Sequence, residues 1–349
     1  MSGRLEAFHS LTAKTTMTTT NRQLLLKSRP KGLLAPGDLQ LVESPRPELK
    51  DGQALAKVKY LSMDPTMRVW MVLDTYLPAV AIGDVMRAFG FAEIIESRHP
   101  DYKKGDRVTG LTGLQEYAII DDSGKRNFQK VPKIPFVSDT VFLGVLGING
   151  LTAFFGMEIA QAKKGETLVV SAAAGATGSI AGQIGKIHGC RVVGIAGGDE
   201  KCSWLTTDLG FDAAINYKQS GWEEKLAAAT PNGIDINFEN VGGEIMHAVL
   251  DRMNLFGRVV LCGLISGYTK GDPDLENFGT VLVKRLRVQG FIIIDYASRF
   301  MEAASQLGQW KMFGKLKDRE TIVEGLEKAP DAINMLFTGG NIGKLIVKV

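Results

Sequence analysis

Cysteine is scarce in this chain: Cys190, Cys202 and Cys262 are the three present in 349 residues. No two have CxxC spacing, which excludes a disulfide scaffold and a paired-thiol redox site. Histidine is equally thin. His9, His99, His188 and His247 are far apart, with no HExxH and no Cys/His grouping at zinc spacing. A dedicated metal site is therefore not expected. No apolar run approaches the ~20 residues that a membrane span needs. There is also no block of one charge. The 41 basic and 38 acidic residues are interspersed and leave a net charge of +3, which implies neither nucleic acid nor a membrane surface as partner.

What is present is ordinary globular composition with one surplus. Hydrophobic residues make up 45% and charged residues 23%. The length exceeds the roughly 100–200 residues of one domain, so two domains are expected. Glycine is in excess, at 40 residues without a collagen period. In an α/β chain that excess points to tight turns and close backbone approach to a ligand.

The first sixteen residues differ from the rest. MSGRLEAFHSLTAKTT is Ser/Thr-rich and precedes Met17, which reads as an alternative start. The segment reads as a disordered leader or a remnant of expression, with a mitochondrial presequence as the alternative, since Arg4 and Lys14 are opposed only by Glu6.

From Arg22 to about Thr140 the chain is built of short strand-like runs: Gln23–Lys27, Leu39–Glu43, Ala54–Ser62, Phe91–Glu96 and Arg107–Gly110. Pro and Gly punctuate them, the pattern of a compact β-barrel. After Thr140 the rhythm becomes βαβ, the signature of a parallel sheet. Strands are expected at Glu166–Ala173, Arg191–Ala196, Ala213–Tyr217, Ile234–Glu239, Arg258–Cys262 and Leu286–Ile294. Helices are expected at Ser179–Gly189, Lys201–Leu209, Trp222–Ala229, Tyr296–Phe313 and Ala329–Phe337. A last strand, Lys344–Val349, is placed to return to the first domain.

The strongest motif is Ala173-Ala174-Gly175-Ala176-Thr177-Gly178, a GxGxxG with Ala173 in the first glycine place. It lies between a strand and a helix, the context a dinucleotide cradle requires. Small residues are needed because a pyrophosphate lies against backbone N–H groups at the helix start. NAD sites carry an acid at the tip of the second strand. Here that strand ends in Gly197-Gly198, with Asp199, Glu200 and Lys201 after it. Room at the tip and a lysine within reach favour NADP, with Asp199 expected as the helix N-cap. Asn240-Val241-Gly242-Gly243 and Cys262-Gly263-Leu264-Ile265-Ser266 follow the fourth and fifth strands, on the edge where open α/β sheets bind ligands.

The stretches LSMDPTMR, KGDRV, GLTAFFG, VVSAAAGATGS, GIAGGDEK, NFENVGGE, GRVVLCGLIS and NIGKLIVKV follow one another in order. Together they resemble the zinc-independent medium-chain dehydrogenases/reductases, in the subgroup of prostaglandin, alkenal double-bond and curcumin reductases. The resemblance implies a Rossmann doubly wound parallel sheet plus a GroES-like β-barrel catalytic domain, with residues 17–140 and 310–349 forming the barrel domain and 141–309 the NADP-binding domain. Zinc-dependent relatives need a Cys or His ligand in the barrel domain, and no Cys precedes Cys190.

Residue by residue, the resemblance assigns Gly175, Ala176, Thr177 and Gly178 to the pyrophosphate, and Lys201 and Tyr217 to the 2′-phosphate. It assigns Asn240, Cys262, Gly263, Leu264, Ile265, Ser266, Phe291 and Asn341 to the nicotinamide and its ribose. It implies NADPH-dependent reduction of the C=C bond of small lipophilic enones or enals, in a cytoplasmic homodimer paired along the sixth strand. Alternatives are an NADPH quinone reductase or an NADPH-binding protein without turnover. Tyr268 matches the proposed proton or hydrogen-bond donor, with the cofactor ribose hydroxyl as the competing source. Thr66 stands where many relatives have tyrosine, which implies a changed substrate range. Met63, Met67, Trp70, Met71, Tyr76 and Met86 read either as a soft apolar wall for substrate or as core. Arg68 and Arg87 read as substrate-carboxylate anchors or structural residues.

Overall fold

The structure, a computed structural model, describes residues 20–123, 128–270 and 277–349; the expected leader at 1–16 lies outside them. The first part is antiparallel. Strands β1 (Thr20–Leu26) and β2 (Leu39–Pro45) form one hairpin-like pair. Strand β3 (Ala54–Ser62), helix α1 (Thr66–Trp70) and strands β4 (Gly90–Ser97), β5 (Arg107–Gly110), β6 (Tyr117–Ile120) and β7 (Gln129–Lys130) follow. The centre is β3, which pairs with β4 along one side and with β6 on the other. Its core face carries Ala54, Ala56 and Val58, packed against Ile94, Val108 and Ala118. Helix α1 has no strong sequence signal because it is five residues long and opens after Pro65. It is held by Met67 and Trp70, which are buried at i, i+3 in the same core.

The second part alternates. Helix α2 (Ile148–Ala160) leads into β8 (Thr167–Val170), α3 (Ala176–Ile187), β9 (Arg191–Ala196), α4 (Asp199–Thr207), β10 (Ala213–Asn216), α5 (Trp222–Ala229) and β11 (Ile234–Glu239). Then come α6 (Gly243–Arg252), β12 (Met253–Leu261), α7 (Gly279–Lys284), β13 (Arg287–Gly290) and α8 (Phe300–Met312). Strands β8 to β13 make one parallel sheet in the order β10-β9-β8-β11-β12-β13. Renumbered from β8, this is 3-2-1-4-5-6, the Rossmann order, with its switch point between β8 and β11. Both faces are buried. Leu168 and Val170 pack in the core shared with α2, α3 and α8, while Val169 between them packs with α5 and α6. A strand covered on both sides reads as a continuous apolar run, as TLVV does.

The chain then returns. Strand β14 (Glu320–Glu324), helix α9 (Ala329–Thr338) and strand β15 (Lys344–Lys348) rejoin the first sheet. β15 pairs antiparallel with the end of β3 and parallel with β14. On the way Gly343 N–H donates to Ala174 O at 2.8 Å, which pins the returning strand to the glycine-rich turn.

Several boundaries differ from expectation. The strand expected to run to Ala173 ends at Val170, because Ala172 adopts a left-handed φ of 46° and turns the chain early. The helix after it starts at Ala176 rather than Ser179. The sixth strand stops at Gly290 rather than Ile294, because its partner β12 ends at Leu261, opposite Gly290. Residues Ile293–Arg299 form a 3₁₀ helix, and α8 begins only at Phe300.

Candidate functional site

The glycine-rich turn is shaped by its own backbone. The Ala172 carbonyl oxygen lies 2.5 Å from where a Cβ on Gly178 would sit and 3.2 Å from one on Gly175. A side chain at 178 would therefore strike backbone, while the first turn of α3 presents its free N–H groups beside Ala176 and Thr177. Thr177 is half-exposed there. The cradle fits a pyrophosphate: an N-terminal helix dipole, unpaired amide donors, and no Cβ to hold the phosphate away.

At the tip of β9 the two glycines open a cleft of about 480 Å³, bordered by Gly197, Gly198, Lys201, Arg319 and Gly339. Lys201 Nζ donates to Gly339 O at 3.0 Å. Burial, then the neighbouring Lys218 ammonium, lowers the Lys201 pKa. Tyr217 and Lys218 pack beside Gly197, at 3.0 and 3.1 Å from a Cβ built on it. Lys218 was not among the expected residues. It sits beside Tyr217 in sequence, but only the fold shows that it converges with Lys201. Two ammonium groups repelling each other across a cleft suit an anion carrying more than one charge. The nearby acids are already engaged. Asp199 accepts from Asn216 Nδ2 and Gln219 Nε2, both at 2.7 Å, and Glu200 pairs with Arg319 at 2.8 Å. Asp199 is not the N-cap of α4; Gly198 occupies that position, and the carboxylate points to β10 instead.

The switch point is organised by a second residue that sequence reading missed. Glu239, the last residue of β11, is fully buried. Its carboxylate accepts from Ser171 Oγ (2.7 Å), Val241 N–H (2.6 Å), Gly242 N–H (2.9 Å) and Asn237 Nδ2 (2.9 Å). A buried carboxylate is tolerable only with such donors. The signal was an acid inside the otherwise strand-like IDINFE. Asn240 continues the link: its Nδ2 donates to Ser171 O at 2.7 Å and its own N–H to Ser171 Oγ at 2.8 Å.

The turn after β12 hangs on these groups. Cys262 and Gly263 N–H donate to Glu239 O, Ile265 N–H to Asn240 O, and Ser266 N–H to Val241 O. Leu264 N–H donates to Tyr268 Oη at 3.3 Å, which folds the phenol back over the turn. Burial is the chief reason the Tyr268 phenol is pushed above its ordinary value of 10.0. Tyr268 thus stays a neutral donor across the physiological range. Burial likewise pushes the Cys262 thiol up to about 12, which leaves it a poor nucleophile. Phe291 lies just beyond β13, edge-on to Tyr296 at 6.3 Å, and Asn341 Nδ2 donates to Gly343 O at 3.0 Å beside the cradle.

The barrel side contributes fewer fixed groups. Thr66 Oγ1 and Tyr76 Oη are 3.3 Å apart, and Tyr76 is 40% exposed, edge-on to Trp70. Met63, expected at the pocket, is 1% exposed and lies in the barrel core, as do Met67, Trp70, Met71 and Met86. The irregularity between Val58 and Tyr60 shifts the alternation of β3, so Leu61 and then Met63 turn inward. Arg68 is structural: it donates to Gly32 O (2.8 Å) and Pro30 O (2.6 Å). Arg87 donates to Pro78 O and lies over the Trp70 ring. His247 Nε2 is buried without a partner. Among the described residues no group of three or more His, Cys, Asp or Glu side chains is placed to hold a metal.

Residues 22–130 match the family described as "N-terminal domain of oxidoreductase", and residues 176–309 the family described as "Zinc-binding dehydrogenase". The chain is 44% identical to the NADPH-dependent curcumin reductase of Escherichia coli (strain K12), over 94% of this chain and 97% of the relative. It is 38% identical to a 2-alkenal reductase (NADP(+)-dependent) of Nicotiana tabacum, over 95% and 98%. The crystal structure of CurA from Vibrio vulnificus in complex with NADPH superposes with a TM-score of 0.89 at 42% identity, covering 94% of this chain and 99% of that one.

Proposed function

The chain belongs to the zinc-independent medium-chain dehydrogenases/reductases, and from that premise we propose how its residues perform a C=C reduction. It is an NADP-dependent oxidoreductase that reduces the C=C bond of α,β-unsaturated ketones or aldehydes. NADPH bound along the carboxyl edge of the sheet supplies the hydride. In the substrate, hydride adds at the β-carbon, negative charge develops on the carbonyl oxygen, and a proton then adds at the α-carbon to give the saturated carbonyl. Tyr268 carries the reading: a half-buried, neutral phenol on the turn that Glu239 and Asn240 hold in place. Its O–H stabilises the developing enolate oxygen, a role worth the most where water is excluded.

Lys201, Lys218 and Tyr217 bind the 2′-phosphate, and Gly175 to Gly178 the pyrophosphate. Asn240, the turn from Cys262 to Ser266, Phe291 and Asn341 surround the nicotinamide end. Thr66 and Tyr76 border the substrate. We divide the chain into a catalytic domain of residues 17–140 and 310–349 and a cofactor domain of 141–309. The exposed edge of β13, flanked by Leu282 and Val283, is the surface we assign to a homodimer. Three unpaired cysteines suit a cytoplasmic setting.

The test is NADPH oxidation over a panel of enals, enones and quinones, with NADH as control. Faster turnover of enones than quinones, with a preference for NADPH, is expected. Turnover confined to quinones, or binding without turnover, contradicts the reading.

A further inference from the structure

A charged pair with a buried lysine and a half-buried carboxylate lies behind the cradle. Lys344, 3% exposed, enters from β15 and places its Nζ 2.7 Å from Asp64 Oδ1 and 3.0 Å from Met63 O. Asp64 sits just past the end of β3, where Ser62 Oγ also donates to it. Removing either partner of such a pair strands a charge, so each fixes the other in place. The same Oδ1 of Asp64 accepts from Asn149 Nδ2 at 3.2 Å. Asn149 is in the first turn of α2. Its place depends on a close chain reversal, since a Cβ on Gly147 would lie 2.2 Å from Phe142 O and one on Gly150 1.8 Å from Val145 O.

Asn149 Nδ2 has a second acceptor, Thr177 Oγ1, at 3.3 Å. Its own Oδ1 is buried without a donor. The side chain therefore works only as a donor, bridging the barrel's carboxylate to a hydroxyl in the cradle. Because Thr177 Oγ1 accepts this bond, its proton must go to another acceptor. Among the described residues no other side-chain bond is made by Thr177. A hydrogen bond accepted by a hydroxyl also polarises its O–H.

We propose that Asn149 is a positioning residue for the cofactor: with the Lys344–Asp64 pair it forms a relay that orients the Thr177 hydroxyl as a donor for a dinucleotide phosphate. This ties cofactor affinity to the closure of the barrel by its last strand, because Gly343 directly precedes Lys344, the first residue of that strand. It rests on the reading that NADPH binds along the cradle.

The test is a double-mutant cycle on NADPH affinity, measured by calorimetric titration of the full chain. Asn149→Ala and Thr177→Val should each weaken binding about three- to tenfold, the net range of one typical hydrogen bond. The double variant should be no weaker than the weaker single one, since both remove one donor. Thr177→Ser should bind as the parent does. Losses that multiply, or a Thr177→Val protein that binds NADPH like the parent, overturn the relay. The melting temperature without NADPH reports whether Asn149→Ala damages the fold. If it does, the comparison of Thr177→Val with Thr177→Ser decides alone. A parent chain that does not bind NADPH defeats the functional reading, whereas a parent that binds it with a multiplicative cycle defeats only the relay.

Discussion

The two sides of the proposed site are built differently. The cofactor side is made of backbone: glycines at the turns, amide donors at the start of α3, and a buried carboxylate, Glu239, that fastens two loops to the sheet. The substrate side is made of side chains, with Thr66 and Tyr76 joined by a single contact at 3.3 Å and Tyr76 open to solvent. A ligand that is always the same is met by a rigid surface. A range of substrates is met by one with few fixed groups, whose contacts can adjust. Substitutions on the first side should therefore act as steps, and those on the second as shifts in preference.

The largest effect is expected at the cradle. Gly178→Val places side-chain atoms against the Ala172 carbonyl, where even a Cβ would be 2.5 Å away. NADPH affinity should fall by about a hundredfold or more, on the order of 3 kcal/mol, read by calorimetric titration. Next is Tyr268→Phe. Loss of one oxyanion donor costs about 10²-fold in kcat, with the Kd for NADPH unchanged. If the ribose hydroxyl, rather than Tyr268, is the donor to that oxygen, kcat should barely move. In the parent the donor form is lost only as pH rises through a phenol pKa already above 10.0, so the activity assigned to it should be level through neutral pH.

Smaller is the effect of Lys218→Ala, at about tenfold in NADPH affinity. NADH binding should be unchanged, because its ribose carries no 2′-phosphate. Equal loss for both cofactors would remove Lys218 from that role. Smallest is Thr66→Tyr, which should shift relative kcat/KM across a panel of enones by a few-fold, within about 1 kcal/mol. An unchanged profile would mean that the barrel side does not choose the substrate, and the contrast between the two sides would lose its force.

Much of the cofactor side was legible in the sequence. Glycines gathered at the turns after β-branched strands mark places where a ligand meets backbone, and the six strands expected after Thr140 form one parallel sheet. What escaped depended on distance in the chain. Lys218 gains its meaning only from Gly339 and Lys201, and Asn149 only from Asp64 and Thr177. Glu239 looked like one acid in a strand until its four donors were in view. The end of β13 was set by its neighbour rather than by its own apolar run, so a strand expected to reach Ile294 stopped at Gly290. Met63 shows the limit on the substrate side. Apolar composition alone does not separate a pocket wall from a core, and burial placed it in the core.

The central claim is that hydride goes to the β-carbon of a conjugated carbonyl. Turnover of an enone with NADPH deuterated at its transferable position, followed by mass spectrometry and NMR of the product, tests it directly. The account predicts a saturated ketone with deuterium on the β-carbon alone. An allylic alcohol with deuterium on the former carbonyl carbon would contradict it.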